Sequence, residues 1–204
     1  MRVLVITAHA DDLELAMGGT VKKMKDKGDI VDNVIMFDNG NRDEAIEKST
    51  VSLGHKAIFF PRELYETDRP IIDANLVREF EDWLENNKVS ATLKEYDLIV
   101  THWKEDWHQD HRMCYDLVQS LKRNQPIGVM YMDTFPYNQK YTTFEANVWF
   151  DITVQMPAKL GAIEVFQDHI GKGWNERIKA YNFYRGSFIK TRFAEVFKLD
   201  TMIM

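Results

Sequence analysis

The most constraining feature of this sequence is an alternation of short apolar runs with amphipathic helical segments. Short runs over residues 3–7 and 97–101, whose centres Val3–Ile6 and Leu98–Val100 are apolar, are typical of buried parallel strands. The segment 73–87 carries one apolar stripe at helical spacing, made of Leu76, Val77, Phe80, Trp83 and Leu84. Strands that alternate with helices favour right-handed βαβ units. We therefore predict an α/β fold, a Rossmann-like three-layer sandwich with a mainly parallel sheet.

The same patterns give an element map. Strands are predicted over residues 3–7, 34–37, 57–60, 97–101, 127–132, 147–152 and 193–199, and helices over residues 15–27, 42–53, 73–87, 113–121, 159–167 and 176–184. Residues 133–146 are predicted to form a long specificity loop. The pair Gly18-Gly19 inside the first helix predicts close packing against a neighbour. Without a linker or internal repeat, the 204 residues are predicted to form one domain, residues 1–204.

Two polar clusters directly follow two of the predicted strands. The first covers residues 7–12 and the second residues 102–111, and together they hold four of the six histidines. In open α/β sheets, ligands bind in the crevice outside the carboxyl ends of the strands. We therefore expect both clusters to lie on the same functional edge of the sheet.

The residue types in these clusters favour a divalent transition metal. Three protein ligands with one open position are typical of catalytic zinc. His9 and Asp12 are three positions apart on a strand-to-helix turn, close enough to reach one ion, and His111 would complete the set from the second cluster. Iron in place of zinc stays open.

Neighbouring residues fit the remaining roles of a metal-assisted hydrolysis. Asp11 lies beside a predicted ligand and is placed to act as the general base. His108 is placed to stabilise a developing oxyanion or to protonate the leaving group, with Asp110 fixing its tautomer.

Composition excludes several other classes of protein. Lysine and arginine total 26 against 32 aspartates and glutamates, so the net charge of −6 argues against a broad grip on nucleic acid. No apolar stretch approaches the ~18 residues of a membrane span. The single cysteine, Cys114, fits a reducing compartment. We expect a cytoplasmic protein with a small-molecule partner, and homo-oligomerisation is left open.

The two clusters resemble the A-H-P-D-D-E and H-P-D-H signatures of the PIG-L (LmbE-like) N-deacetylase family, zinc-dependent enzymes acting on N-acetylglucosamine-type substrates. The resemblance continues through Gly18-Gly19-Thr20, residues 151–153, Lys159 with Ala162, and residues 193–197. It implies that His9, Asp12 and His111 bind the metal. It also implies that Asp11 is the base and His108 its electrophilic partner, oriented by Asp110.

Three positions depart from the family signatures. Ala10 and Gln109 replace prolines, which removes no ligand. Leu13 replaces the family glutamate, with Glu14 one place further on, and this affects a contact that supports the metal ligands. Arg42 is similar to a family arginine that contacts substrate.

The resemblance implies a metal-dependent hydrolase that removes an acetyl group from an N-acetylated amino sugar or sugar conjugate, with Zn²⁺ or Fe²⁺ as cofactor. One alternative is a zinc hydrolase acting on another amide, an ester or a phosphoester. A catalytically weak sugar-binding homologue is a second alternative, which Leu13 would suit. A nucleotide-binding Rossmann protein is disfavoured because no G-x-G-x-x-G follows the first strand.

Other conspicuous side chains have plainer interpretations. His102 is expected to cap a strand end or to line the functional edge, and His55 is expected on the surface where a helix ends. No role is predicted for His169. Trp103 and Trp107 are equally compatible with packing and with a platform for a sugar ring.

Overall fold

The computed structural model describes residues 1–37, 42–61, 72–86, 92–123, 126–137 and 144–202. Its strands are β1 (Arg2–Thr7), β2 (Ile30–Ile35), β3 (Lys56–Phe59), β4 (Leu98–Thr101), β5 (Gly128–Met132), β6 (Val148–Asp151) and β7 (Ala194–Thr201). They form one sheet in the order β3-β2-β1-β4-β5-β7-β6. The strands β1 to β5 run parallel, whereas β7 is antiparallel to both β5 and β6. The predicted fold class, a mainly parallel α/β sheet, is confirmed.

Helices cover both faces of this sheet. They are α1 (Asp12–Asp26), α2 (Asp43–Leu53), α3 (Ala74–Asn86), α4 (Gln109–Lys122), α5 (Met156–Glu164), α6 (Gln167–Ile170) and α7 (Trp174–Ser187), with a 3₁₀ turn at Leu93–Glu95. Alternate residues of β1 face opposite cores. Leu4 and Ile6 pack in a core shared with α3 and α4, while Val3 and Val5 pack in a core shared with α1. This alternation produces the three layers predicted from the sequence.

The strand β2 begins four residues before its predicted start. Asp32 and Asn33 interrupt the apolar pattern, yet both are buried inside the strand. The hydroxyl of Tyr96 donates to Asp32 Oδ2 at 2.7 Å, and Thr7 Oγ1 donates to Asn33 Oδ1 at 3.1 Å. Because long-range hydrogen bonds satisfy these polar groups, hydropathy alone misplaced the boundary.

The Gly18-Gly19 pair confirms the predicted close packing. A Cβ atom on Gly19 would lie 2.8 Å from the side chain of Ile152, a distance that no real contact reaches. The side chain of Ile152, which follows β6, therefore sits directly against the backbone of α1. Only glycine allows this approach.

The order of strands places the two polar clusters together. The chain leaves β1 for β2 on one side, and returns after β3 to form β4 on the other side of β1. This change of direction is a topological switch point, where the loops after neighbouring strands diverge and open a crevice. Residues 8–11 and 102–108 follow β1 and β4 at this crevice.

Candidate metal centre

The three residues predicted as metal ligands converge at the crevice. Asp12 Oδ1 lies 3.2 Å from Nε2 of His111, and Asp12 Oδ2 lies 3.5 Å from Nδ1 of His9. Asp12 opens α1 and His111 lies in the first turn of α4, so two helices that follow neighbouring strands deliver these ligand atoms. Asp12 and His111 are buried, whereas His9 is partly open to the crevice.

A buried carboxylate fixes the orientation of His111. Asp106 Oδ2 lies 2.8 Å from His111 Nδ1, and Asp106 Oδ1 accepts a hydrogen bond from the backbone N–H of His108 at 2.8 Å. With its Nδ1–H directed at Asp106, His111 presents the Nε2 lone pair to the side of Asp12. Imidazoles that bind metals are commonly held in this way. Asp106 is not among the predicted site residues, and its position in the second polar cluster is the one sequence signal for it.

Asp110 plays a similar part for His9. Its Oδ2 lies 3.2 Å from His9 Nε2 and 3.9 Å from His108 Nδ1, so the carboxylate is nearer to His9 than to the histidine it was predicted to orient. Nδ1 of His9 is then the nitrogen left on the side of Asp12. The backbone N–H of Asp110 is the group that meets His108, donating to Nδ1 at 3.3 Å. His108 is the N-cap of α4, and because its Nδ1 accepts this hydrogen bond, its proton lies on Nε2.

His102 lies beside the same centre but has another task. Its Nε2 is 3.3 Å from Asp12 Oδ2, and its ring stacks on His111 with centroids 3.8 Å apart. The Nε2 lone pair, however, accepts the backbone N–H of Ala8 at 3.1 Å, and Nδ1 lies 3.1 Å from Thr134 Oγ1. His102 therefore caps the end of β1 and also lies at the functional edge, within reach of Asp12 and His111.

Arg42 lies against the predicted base. Its NH1 donates to Asp11 Oδ1 at 2.7 Å, which joins the N-cap of α2 to the N-cap of α1. Burial and the neighbouring charge of Asp12 raise the pKa of Asp11, while Arg42 acts in the opposite direction. A carboxylate with a raised pKa accepts a proton more readily than an ordinary aspartate does.

Leu13, which replaces the family glutamate, and the neighbouring Glu14 point to different parts of the fold. Leu13 packs in the core shared with β1, whereas Glu14 turns to α2 and accepts a hydrogen bond from Ser49 Oγ. Burial raises the pKa of Glu14 to about 8. The carboxyl group of Glu14 therefore makes its polar contact with α2.

The electrostatics of the cluster favour a cation. Burial opposes protonation of the two histidines, yet Asp12 and a second carboxylate raise the pKa of His9 to about 10 and that of His111 to about 9. Burial and the nearby His111 lower the pKa of His108, which keeps it neutral. The centre therefore stabilises positive charge between His9, Asp12 and His111.

The donor set fits a metal of the zinc type. Ligand atoms bound tetrahedrally about 2.0–2.2 Å from zinc are separated from one another by roughly 3.3–3.6 Å. Asp12 reaches this spacing through two different oxygens, with Oδ1 3.2 Å from His111 Nε2 and Oδ2 3.5 Å from His9 Nδ1. Two groups among the described residues have ligand atoms that all lie within 4.8 Å of one another. They are His9 with His108 and His111, and Asp12 with His102 and His111.

A cavity of about 340 Å³ opens beside this centre. Its described lining contains every predicted site residue except Asp110, and adds Tyr137 from the predicted specificity loop, of which residues 138–143 lie outside the described residues. The lining residues are His9, Asp11, Asp12, Leu15, Arg42, His108, His111, Tyr137, His169, Ile170 and Trp174.

Four aromatic side chains differ in how well their positions were predicted. Trp103 is a packing residue, buried against Tyr131 and Phe144, while Trp107 is exposed outside the cavity lining. The surface position predicted for His55 is wrong, because its side chain is buried and burial lowers its pKa to about 4. His169, for which no role was predicted, lines the cavity.

Comparison with known families agrees with the sequence resemblance. The family profile described as "PIG-L: GlcNAc-PI de-N-acetylase" matches residues 4–122, more than half of the 204-residue chain. The protein therefore belongs to the PIG-L family. The matched region includes both polar clusters.

Solved structures share the fold across nearly the whole chain. The N,N'-diacetylchitobiose deacetylase from Pyrococcus horikoshii has a TM-score of 0.71 and 23% identity, covering 98% of this chain and 83% of that chain. The 4-carboxy-2-hydroxymuconate hydratase GalB from Pseudomonas putida KT2440 has a TM-score of 0.77 and 15% identity. The match covers 100% of this chain and 97% of that chain. The zinc-inhibited form of teicoplanin deacetylase Orf2 has a TM-score of 0.69 and 15% identity. The match covers 98% of this chain and 99% of that chain. At these identities the likeness establishes the fold alone.

The helices were also compared with the requirements of a membrane span. In the part of the chain that the structure describes, none of them combines the length and the apolar character needed to cross a bilayer.

Proposed function

We propose that this protein is a metal-dependent N-deacetylase that removes the acetyl group from an N-acetylated amino sugar or sugar conjugate, with Zn²⁺ or Fe²⁺ as the cofactor. One observation carries the proposal. His9 and His111 each place one ring nitrogen 3.2–3.5 Å from an oxygen of Asp12 and the other ring nitrogen beside a second carboxylate, at a cavity that Asp11 lines. Membership of the PIG-L family supports this choice of reaction.

The metal ligands would be His9, Asp12 and His111. A divalent ion held there supplies Lewis-acid chemistry, polarising the substrate carbonyl and making water easier to deprotonate. Asp106 and Asp110 hold the two imidazoles in the tautomers that direct a lone pair at the centre.

Asp11 is the proposed general base. It accepts a proton from the attacking water as the oxygen bonds to the acetamide carbon, and returns that proton to the nitrogen as the C–N bond breaks. The products are acetate and a free amine. Arg42 positions Asp11 through the 2.7 Å hydrogen bond. We keep substrate contact as a second role of Arg42, because a guanidinium offers five N–H donors and this one lines the cavity.

His108 is the proposed electrophilic partner. The hydrogen bond from the Asp110 backbone occupies Nδ1, so Nε2–H is the group available to donate to the developing oxyanion. A neutral imidazole in a fixed tautomer needs no rearrangement before it donates. Asp110 thus supports His108 through its backbone and His9 through its carboxylate.

Three further proposals concern the chain as a whole. The two ends of the chain contribute β1 and β7 to the same sheet, which supports one domain over residues 1–204. The buried thiol of Cys114 supports a reducing compartment such as the cytoplasm. The size of the cavity supports a small-molecule partner.

The test is acetate release from N-acetylglucosamine by the full chain reconstituted with zinc or with iron. We expect turnover that a chelator abolishes and that added metal restores. Phosphate release from sugar phosphates is measured in parallel, because the same centre suits phosphoester hydrolysis. Phosphate release without acetate release from any N-acetylated sugar would overturn the proposed reaction and favour the alternative.

A further inference from the structure

One wall of the cavity is formed by residues that lie outside the two polar clusters of the sequence. His169 and Ile170 end α6, Trp174 begins α7, and all three line the cavity. The connecting turn depends on Gly171 and Gly173, whose φ angles of 87° and 86° are rarely adopted by other residues. The backbone here is therefore suited to bringing these side chains to the cavity.

The ring of Trp174 is fixed in place from two directions. Its Nε1–H donates to the backbone oxygen of Ile170 at 2.8 Å. The guanidinium of Arg177 lies 5.4 Å from the ring centroid, and Arg177 is not among the residues that line the cavity. The part of the ring that lines the cavity belongs to a side chain that is already ordered, so contact with a ligand costs little conformational entropy.

The composition of the lining indicates which ligand this wall suits. Asp11, His108 and Tyr137 are polar, whereas Leu15 and Trp174 are apolar. A pyranose ring has one face of C–H groups and an edge of hydroxyls, so it can use both kinds of surface at once. A purely apolar ligand would leave the polar groups without partners. The cavity of about 340 Å³ is near the lower end of the usual range of roughly 300–1,000 Å³, which suits a single sugar ring.

We propose that Trp174 is a specificity-determining residue that packs against the C–H face of one pyranose ring, with His169 at the hydroxyl edge. The inference rests on the proposed function and narrows its substrate class to cyclic N-acetylated monosaccharide units. It also separates ring recognition, which comes from the α6–α7 turn, from bond cleavage, which comes from the loops after β1 and β4.

The test compares a cyclic with an acyclic acetamide in the metal-loaded full chain. For Trp174→Ala we expect KM for N-acetylglucosamine to rise roughly five- to tenfold, as loss of one aromatic contact implies. The kcat should change by less than about twofold, and kcat/KM for N-acetylethanolamine, which has no ring, should stay the same. Trp174→Phe should restore most of the lost affinity because it keeps an aromatic face.

Phe183→Ala is the matched control, since Phe183 is an exposed aromatic residue of α7 outside the cavity lining. It should leave both substrates unaffected. If Trp174→Ala leaves KM for N-acetylglucosamine unchanged, or weakens both substrates equally, the assignment of Trp174 is wrong.

Binding of glucosamine, measured by saturation-transfer NMR, separates this inference from the proposed reaction. Glucosamine is the product of the proposed reaction and is not turned over. Binding that depends on Trp174, without acetate release from any sugar, would keep the ring subsite and reject the deacetylase. Acetate release with no effect of Trp174→Ala on turnover or on glucosamine binding would keep the deacetylase and reject the ring subsite.

Discussion

Two clusters of buried charge, each assembled from distant parts of the chain, differ in whether their members satisfy one another. In the first, which we call the closed pair, Lys159 Nζ donates to Glu195 Oε1 at 2.6 Å and to the backbone oxygen of Leu15 at 2.8 Å. Glu195 also accepts the backbone N–H groups of Gly19 and Thr20, at 2.9 and 2.6 Å. These bonds join α1, α5 and β7 without a ligand.

The candidate metal centre is the second cluster, and its arrangement is different. Asp12 faces ring nitrogens of His9, His102 and His111 at 3.2–3.5 Å, and its Oδ2 accepts the backbone N–H of His9 at 2.7 Å. Its charges therefore converge on a point between side chains. The comparison teaches that burial alone does not identify a functional charge. A charge with internal partners stabilises the fold, whereas converging donors indicate a ligand.

The largest expected effect is at Asp11, the proposed base beside the candidate metal centre. Asp11→Asn should lower kcat for acetate release by about 10²–10⁴-fold, since an amide cannot accept the proton. Zinc content should stay at the parental value because Asp11 is not among the proposed ligands. Asp26→Asn, at an exposed carboxylate of the same helix, is the control and should be silent. Turnover of Asp11→Asn at the parental rate would remove Asp11 from the mechanism.

Breaking the closed pair should affect stability. Lys159→Met leaves Glu195 buried without its cation, which typically costs about 3–5 kcal/mol of unfolding free energy. Urea unfolding monitored by circular dichroism measures this loss. Lys22→Met removes an exposed ion pair of α1, which water screens, and should cost far less stability than Lys159→Met. Equal losses in the two variants would contradict the closed-pair description.

A variant of His108 tests the proposed oxyanion donor beside the candidate metal centre. His108→Ala should lower kcat by about 10²–10³-fold, as loss of an oxyanion donor does, while zinc stays bound. It should also lower stability by about 1 kcal/mol because the N-cap of α4 is lost. His108→Asn keeps both a cap and an N–H donor, and should lose less of each. Loss of zinc from His108→Ala would instead indicate that His108 is a ligand.

The smallest expected effect concerns the buried His55. Its pKa of about 4 in the folded chain lies below the usual 6.5, so the unfolded chain takes up the proton first as the pH falls. His55 should therefore cost stability progressively from pH 6.5 down to 4, by up to about 3 kcal/mol, and nothing above pH 7. The stability difference between the parent and His55→Gln, measured by urea unfolding across this range, should change accordingly. A stability difference between parent and variant that does not vary with pH would indicate that the side chain of His55 is exposed to solvent.

Most of the fold could be predicted because apolar periodicity reflects which side chains are buried. Prediction failed at the start of β2, where Asp32 and Asn33 are buried through hydrogen bonds to residues far away in sequence. His9 and His111 were predictable as one site because their clusters follow strands that become neighbours. Asp106 and Trp174 were not, since the burial of the one and the glycine turn that places the other are properties of the folded chain.

The family resemblance also contained the closed pair without showing its purpose. Gly18-Gly19-Thr20, Lys159 and residues 193–197 were separate motifs in the sequence. In the structure, Lys159 and the backbone of Gly19 and Thr20 all bond to Glu195. Such a role requires the three-dimensional arrangement, because spacing along the chain does not show which motifs meet.

Zinc stoichiometry in the parent and in His111→Ala tests the central claim most directly. After dialysis against zinc and then buffer, elemental analysis of the parent should find one ion per chain, and His111→Ala should retain far less than one. Lys159→Met, where it remains folded, should bind as the parent does because its charge belongs to the closed pair. A parent that binds no zinc or iron, or a His111→Ala variant that keeps a full equivalent, would contradict the account.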